Sequence, residues 1–96
     1  MSALKPNGSW GTSEIETAAS GATWVDLPDI DCDEVLVVNA TGVALELRSS
    51  QASAGIKLPD AGGPTIQVTG NAREIQLRRF DQSNTQVTVG IIWRRY

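Results

Sequence analysis

There is no histidine in this chain and only one cysteine. Histidine is the commonest general base near neutral pH and the commonest metal ligand. Without it, Ser–His and Cys–His nucleophile systems have no base. A single cysteine, Cys32, cannot close a disulfide within the chain, so the fold does not depend on an oxidising compartment. Asp31 and Asp33 flank it and disfavour a thiolate, so Cys32 reads as a small half-buried side chain rather than a nucleophile. Positive charge is also short. The formal net charge of −3 argues against a general nucleic-acid binder. No stretch approaches the ~20 apolar residues that span a bilayer, and Met1 to Pro6 hold no apolar run of signal-peptide length. These absences predict a non-enzymatic protein, made and kept in a cytoplasm or assembled there into something larger. They predict no cofactor, no nucleic-acid partner and no membrane.

What is present is alternation. Ile66 and Val68, Ile75 and Leu77, and Val87, Val89, Ile91 and Trp93 fall on every second position, with polar residues between them. A period of two means strands with one buried face and one wet face. Strands are expected over 13–18, 23–27, 34–39, 44–48, 64–69, 74–79 and 86–94. Pro28 ends the second because proline cannot donate to a ladder. Val35-Leu36-Val37-Val38 is continuously apolar and reads as a central strand covered on both faces. The turn signal Asn39-Ala40-Thr41-Gly42 makes 34–48 a hairpin, and the last three strands read as a meander. Residues 49–63 form the longest irregular stretch, with Ile56 and Leu58 available to tack it down. No segment has a sustained helical period. The fold class is therefore all-β: a small antiparallel β-sandwich of jelly-roll type with seven to eight short strands. Residues 1–12 read as a flexible N-terminal arm anchored by Trp10, and 13–96 as one domain.

The expected core is Val25, Leu27, Val35, Val37, Leu45, Leu47, Ile66, Val68, Ile75, Leu77, Val87, Val89, Ile91 and Trp93. Trp24, Phe80 and Ile92 lie out of phase with their strands. Either a second layer covers them or they form a contact surface. Arg78 faces water, whereas Arg79 shares the parity of Leu77, so its stem can lie along the core while its head reaches out.

Charge is unevenly placed. Residues 1–50 hold eight acids against Lys5 and Arg48, and residues 51–96 hold three acids against six cations, giving −6 and +3. This fits complementary strands within one domain or complementary surfaces between subunits. Asp29, Asp31 and Asp33 match the opening of a calcium loop. The match then fails, because Glu34 stands where glycine is needed and Ala40 where a bidentate glutamate is needed. No metal site is expected. The acidic loop is left to solvent or to a partner's arginines. Asn7-Gly8-Ser9 and Asn39-Ala40-Thr41 fit a glycosylation pattern but read better as turn chemistry.

Asn39-Ala40-Thr41-Gly42, Leu45-Glu46-Leu47-Arg48, a Gly/Ala-rich loop, residues 66–72, Gln76-Leu77-Arg78-Arg79 and Asp81 through Val89 before Trp93 together carry a resemblance. Over residues 32–94 the chain resembles small structural proteins of tailed bacteriophages and prophages. The resemblance implies a β-sandwich on a virion, as a capsid decoration (cement) protein, a head-fibre part or a tail accessory. The implied partner is a major capsid protein or another shell protein. A homo-oligomer, with a trimer favoured, suits such a lattice. No catalytic residue is implied. Trp10, Trp24, Asp29, Asp31, Asp33, Phe80, Ile92, Arg78 and Arg94 are the candidate interface residues. A second reading is a carbohydrate-binding module in which an exposed Trp24 or Trp10 stacks on a sugar.

Overall fold

The computed structural model describes residues 8–96. They form two four-stranded antiparallel sheets. The strands are β1 (Ser9–Glu16), β2 (Val25–Asp26), β3 (Glu34–Val38), β4 (Leu45–Ser49), β5 (Ile56–Leu58), β6 (Thr65–Gln67), β7 (Ile75–Arg79) and β8 (Thr88–Arg95). A 3₁₀ turn, Ala72–Glu74, leads into β7. Sheet A has the order β1-β8-β3-β6 and sheet B the order β2-β7-β4-β5. This is the jelly-roll arrangement of a small β-sandwich, and the fold class expected from the alternation holds.

The pairing differs from the expectation. Residues 34–48 are not a hairpin, because β3 belongs to sheet A and β4 to sheet B. The last three strands are not a meander, because β6 and β8 lie in sheet A and β7 lies opposite them in sheet B. Asn39 explains the first crossing. Its side chain is buried, and Nδ2 donates to the carbonyls of Val43 (2.8 Å), Pro59 (3.1 Å) and Leu58 (3.3 Å). Its Oδ1 accepts from the Thr41 hydroxyl at 2.6 Å. A buried amide must find such partners. Here they bind the turn to the 58–59 segment instead of folding β4 back onto β3. The same burial leaves that amide no room for a glycan; Asn7 lies outside the described residues.

The arm expectation is also corrected in part. Residues 9–12 are strand, in register with β8 from Ser9↔Arg95 to Glu16↔Thr88. Gly11 permits this. A Cβ there would stand 2.6 Å from Trp93 Cζ2, so only glycine lets the indole lie across β1. The remainder of the arm, residues 1–7, lies outside the described residues. The 49–63 stretch contains β5, which Leu58 ties to the core, whereas Ile56 is 78% exposed. β3 is covered on one face only: Val35 and Val37 are buried, but Val38 is 37% exposed.

The core lies between the sheets. Leu27, Val35, Val37, Leu45, Leu47, Ile75, Leu77, Val89 and Ile91 are buried, with Val25, Ile66, Val68, Val87 and Trp93 packed against them. Cys32, Leu58 and Ala72 join from outside the expected set. Arg79 is 8% exposed and closes one end of the core. Its guanidinium donates to both Asp81 oxygens (2.9 and 2.8 Å) and to the Thr85 carbonyl (2.9 Å), which fixes the 80–86 loop.

Candidate interaction surfaces

The outer face of sheet B carries Trp24, Arg78 and Phe80 from the sequence set. Trp24 immediately precedes β2, across from Arg78 in the extended β2–β7 register. The Arg48 and Arg78 guanidinium carbons lie 4.2 and 4.3 Å from the centroid of its ring. Cations this close over an indole are held by the ring quadrupole. The far edge of the indole reaches Gly55, where a Cβ would stand 2.7 Å from it. Arg78 Nε also donates to Glu46 at 2.8 Å, and another of its nitrogens donates to the Ala22 carbonyl at 2.7 Å. Arg48 Nε donates to Gln76 Oε1, and Gln76 Nε2 donates to Asp26, both at 2.8 Å. Phe80 is 45% exposed, with Lys57 Nζ 4.9 Å above its ring. The out-of-phase Trp24 is thus half-covered by side chains of its own sheet.

The outer face of sheet A carries Trp10, Ile92 and Arg94. Its rows follow from the register. Trp10, Arg94, Glu34 and Gln67 lie side by side, then Thr12, Ile92, Leu36 and Thr65, then Glu14, Gly90 and Val38. Trp10 is 68% exposed. Gly90 leaves a shallow depression edged by Thr12, Glu14, Val38 and Ile92. At one end the Tyr96 hydroxyl donates to the Glu34 carboxylate at 3.3 Å, and its backbone N–H donates to Asp33 at 2.8 Å. Tyr96, and more weakly Glu34, push the Arg94 guanidinium above its ordinary value.

The acidic loop belongs to neither face. Asn71 caps the 3₁₀ turn: its Oδ1 accepts from Arg73 N–H at 2.9 Å, and its own N–H donates to Glu74 at 3.0 Å. Glu74 also accepts from Thr69 N–H at 2.8 Å, and these bonds hold its carboxyl below the usual range. The amide of Asn71 then donates to Asp29 (2.7 Å) and Asp31 (3.2 Å). Arg73 stands 3.7 Å from Asp29. Asp33 turns the other way, to Tyr96, so the three carboxylates do not converge on one point. Cys32 between them is 2% exposed, buried rather than half-buried, because its N–H donates to Gly70 and draws the segment inward. Burial pushes the Cys32 thiol up, and the charges of Asp33 and Glu74 push the same way.

The sequence set is therefore spread over two opposite faces and one end loop. Sequence reasoning missed an apolar cleft of about 420 Å³ where the sandwich opens between β5 and β6. Leu47, Ile56, Leu58, Ile66, Val68 and Ile75 line it. The alternation Ile56-Lys57-Leu58 was the available signal, masked by the small residues around it.

No family model and no curated protein matches the chain. Among solved structures the chain is similar to a protein of the Bacillus endospore appendages, a family of disulfide-linked pili. The identity is 12%, over 99% of this chain and 93% of that one, with a TM-score of 0.48. A likeness at that level carries no functional argument.

Proposed function

We propose that this protein is a structural component of a bacteriophage particle, a decoration protein that docks on the outside of a shell and bridges its subunits. The outer face of sheet A carries this reading. There Trp10 stands out beside Ile92, Leu36 and Val38 on a rigid two-layer frame. Exposed aromatic and aliphatic groups on such a frame are the anchors from which interfaces are built. The resemblance over residues 32–94 supports the same class. A small rigid domain that adds buried area across the joints of a shell strengthens it by mass action.

The test is particle composition. Particles purified on a density gradient from a host expressing the chain should carry it in fixed ratio to the major shell protein. Trp10→Ala should lower that ratio. Absence of the chain from particles would sink the proposal. Binding on a glycan array that disappears in Trp10→Ala would favour the carbohydrate-binding reading instead.

A further inference from the structure

The two sheets end in four edge strands, β1 and β6 in sheet A, β2 and β5 in sheet B. Folded proteins blunt such edges with shortness, proline and lysine, because free N–H and C=O groups invite another strand. Three of the four are blunted. β2 has two residues and runs toward Pro28. β5 has three, carries Lys57 and runs into Pro59. β6 has three and follows Pro64. β1 is the least blunted, with two outward charges, Glu14 and Glu16, as its only device. Its eight residues contain no proline, lysine or arginine, and its register with β8 runs without a bulge.

The phase of that ladder is set just beyond its end, where Thr17 N–H donates to the Val87 carbonyl at 3.0 Å. Antiparallel ladders alternate, so Ser9, Gly11, Ser13 and Ile15 turn their backbone groups toward β8. Trp10, Thr12, Glu14 and Glu16 turn theirs to the open edge. No strand among the described residues pairs with it.

We propose that β1 pairs antiparallel with β1 of a second copy, about a two-fold axis at Thr12, joining the two A sheets into one. This inference stands independently of the particle reading. A long edge needs a long partner. Among the described strands only β1 and β8 reach eight residues, and β8 lies inside its sheet. The match is therefore isologous and closes at a dimer. Keeping the outward side chains on one side requires pairs of like parity. An axis at Thr12 sets Thr12 against Thr12, Trp10 against Glu14, Gly11 against Ser13 and Ser9 against Ile15. Thr–Thr is a favourable cross-strand pair, and no acid faces an acid. An axis at Glu14 would oppose the two Glu14 carboxylates, and an axis at Ser13 would bring them into diagonal contact. The exposed Trp10 then lies beside the partner's β1 rather than in water.

The test uses the full chain in sedimentation or light scattering over a concentration series. The parent should be a dimer. Thr12→Pro removes an N–H that points to the open edge and takes nothing from the β1–β8 ladder. It should weaken the dimer on the order of 100-fold or more, about what the loss of its central backbone bonds implies, with circular dichroism unchanged. Thr12→Cys supplies the second arm. Cα atoms of a hydrogen-bonded antiparallel pair lie ~5.5 Å apart, within disulfide reach. That variant should form a disulfide-linked dimer in air, and Glu16→Cys should not. A monomer at every concentration, an assembly that survives Thr12→Pro, or equal cross-linking of the two cysteine variants would overturn the proposal. A threefold assembly would overturn it too, while leaving the particle reading untouched.

Discussion

On sheet B the outward side chains satisfy one another, whereas on sheet A they largely stand apart. Trp24 is laid against Arg48 and Arg78, Arg78 against Glu46, Arg48 against Gln76, and Gln76 against Asp26. Sheet A has Arg94, Glu34 and Tyr96 linked at one end, while Trp10 and Val38 remain 68% and 37% exposed. The difference teaches what an exposed aromatic means. Two tryptophans stand on outer faces of the same small domain. One already has its partners within the fold, and the other leaves 68% of its surface in solvent. Net charge follows the same division. Glu14, Glu16 and Glu34 outnumber Arg94 on sheet A, while Arg48, Arg78 and Lys57 outnumber Asp26 and Glu46 on sheet B. The −6 and +3 halves of the sequence are thus partly interleaved in strand pairs and partly sorted onto faces.

The largest effect should lie beneath both faces. Leu77→Ala on sheet B and Ile91→Ala on sheet A should each cost about 2–5 kcal/mol in denaturant melts, because each opens a cavity in one shared core. If only one of them is costly, the sheets are not a single cooperative unit and the comparison of their outer faces changes meaning. On the faces themselves, Trp24→Ala should cost about 1–2 kcal/mol, since it releases two cation–π contacts. Trp10→Ala, melted at a concentration low enough to keep the chain monomeric, should stay within about 0.5 kcal/mol, as surface changes do. Equal costs would break the distinction between a closed and an open face. The smallest effect is acid sensitivity at the loops. The hydrogen bond from Arg79, then that from Ser83 N–H, holds the Asp81 carboxyl below its ordinary 3.8. Glu74 is likewise held below 4.5. A depressed folded value adds stability above the ordinary one, and that stability is lost as pH falls through the folded value. Melting temperature should therefore decline as pH drops below 4.5, and Asp81→Asn should flatten part of that slope.

The faces of the strands were legible, because a period of two states which side chain goes in and which goes out. Trp24, Phe80 and Ile92 break the phase of their strands in the sequence, and in the fold they stand on the outer faces of the two sheets. Strand partners were not legible. Val37 and Leu45 face the core whether β4 folds back beside β3 or crosses to the other sheet. The buried amide of Asn39, bonded to the carbonyls of Leu58 and Pro59, fastens the crossing, and those acceptors lie 19 and 20 residues away. The cover over Trp24 was hidden for the same reason, since β4 and β7 reach it only through the fold. The tie on the acidic loop had a readable half. Asn71 stands three residues before Glu74, the spacing of a capping box, and that box presents the Asn71 amide to Asp29 and Asp31. Its acidic acceptors, much earlier in the chain, had no local signature.

The place of β8 between β1 and β3 bears on how the chain reaches its native state. Sheet A is completed by a late insertion: the strand that fills its middle is the last of its four strands in chain order. Until residues 88–95 are made, β1 has no neighbour among the described strands and β3 lacks one flank. Contacts this distant in sequence are slow to form, because loop closure must precede any gain from pairing. A sheet that lacked only β8 would hold an open slot between β1 and β3, one that β8 of a second copy would fit as well as the chain's own.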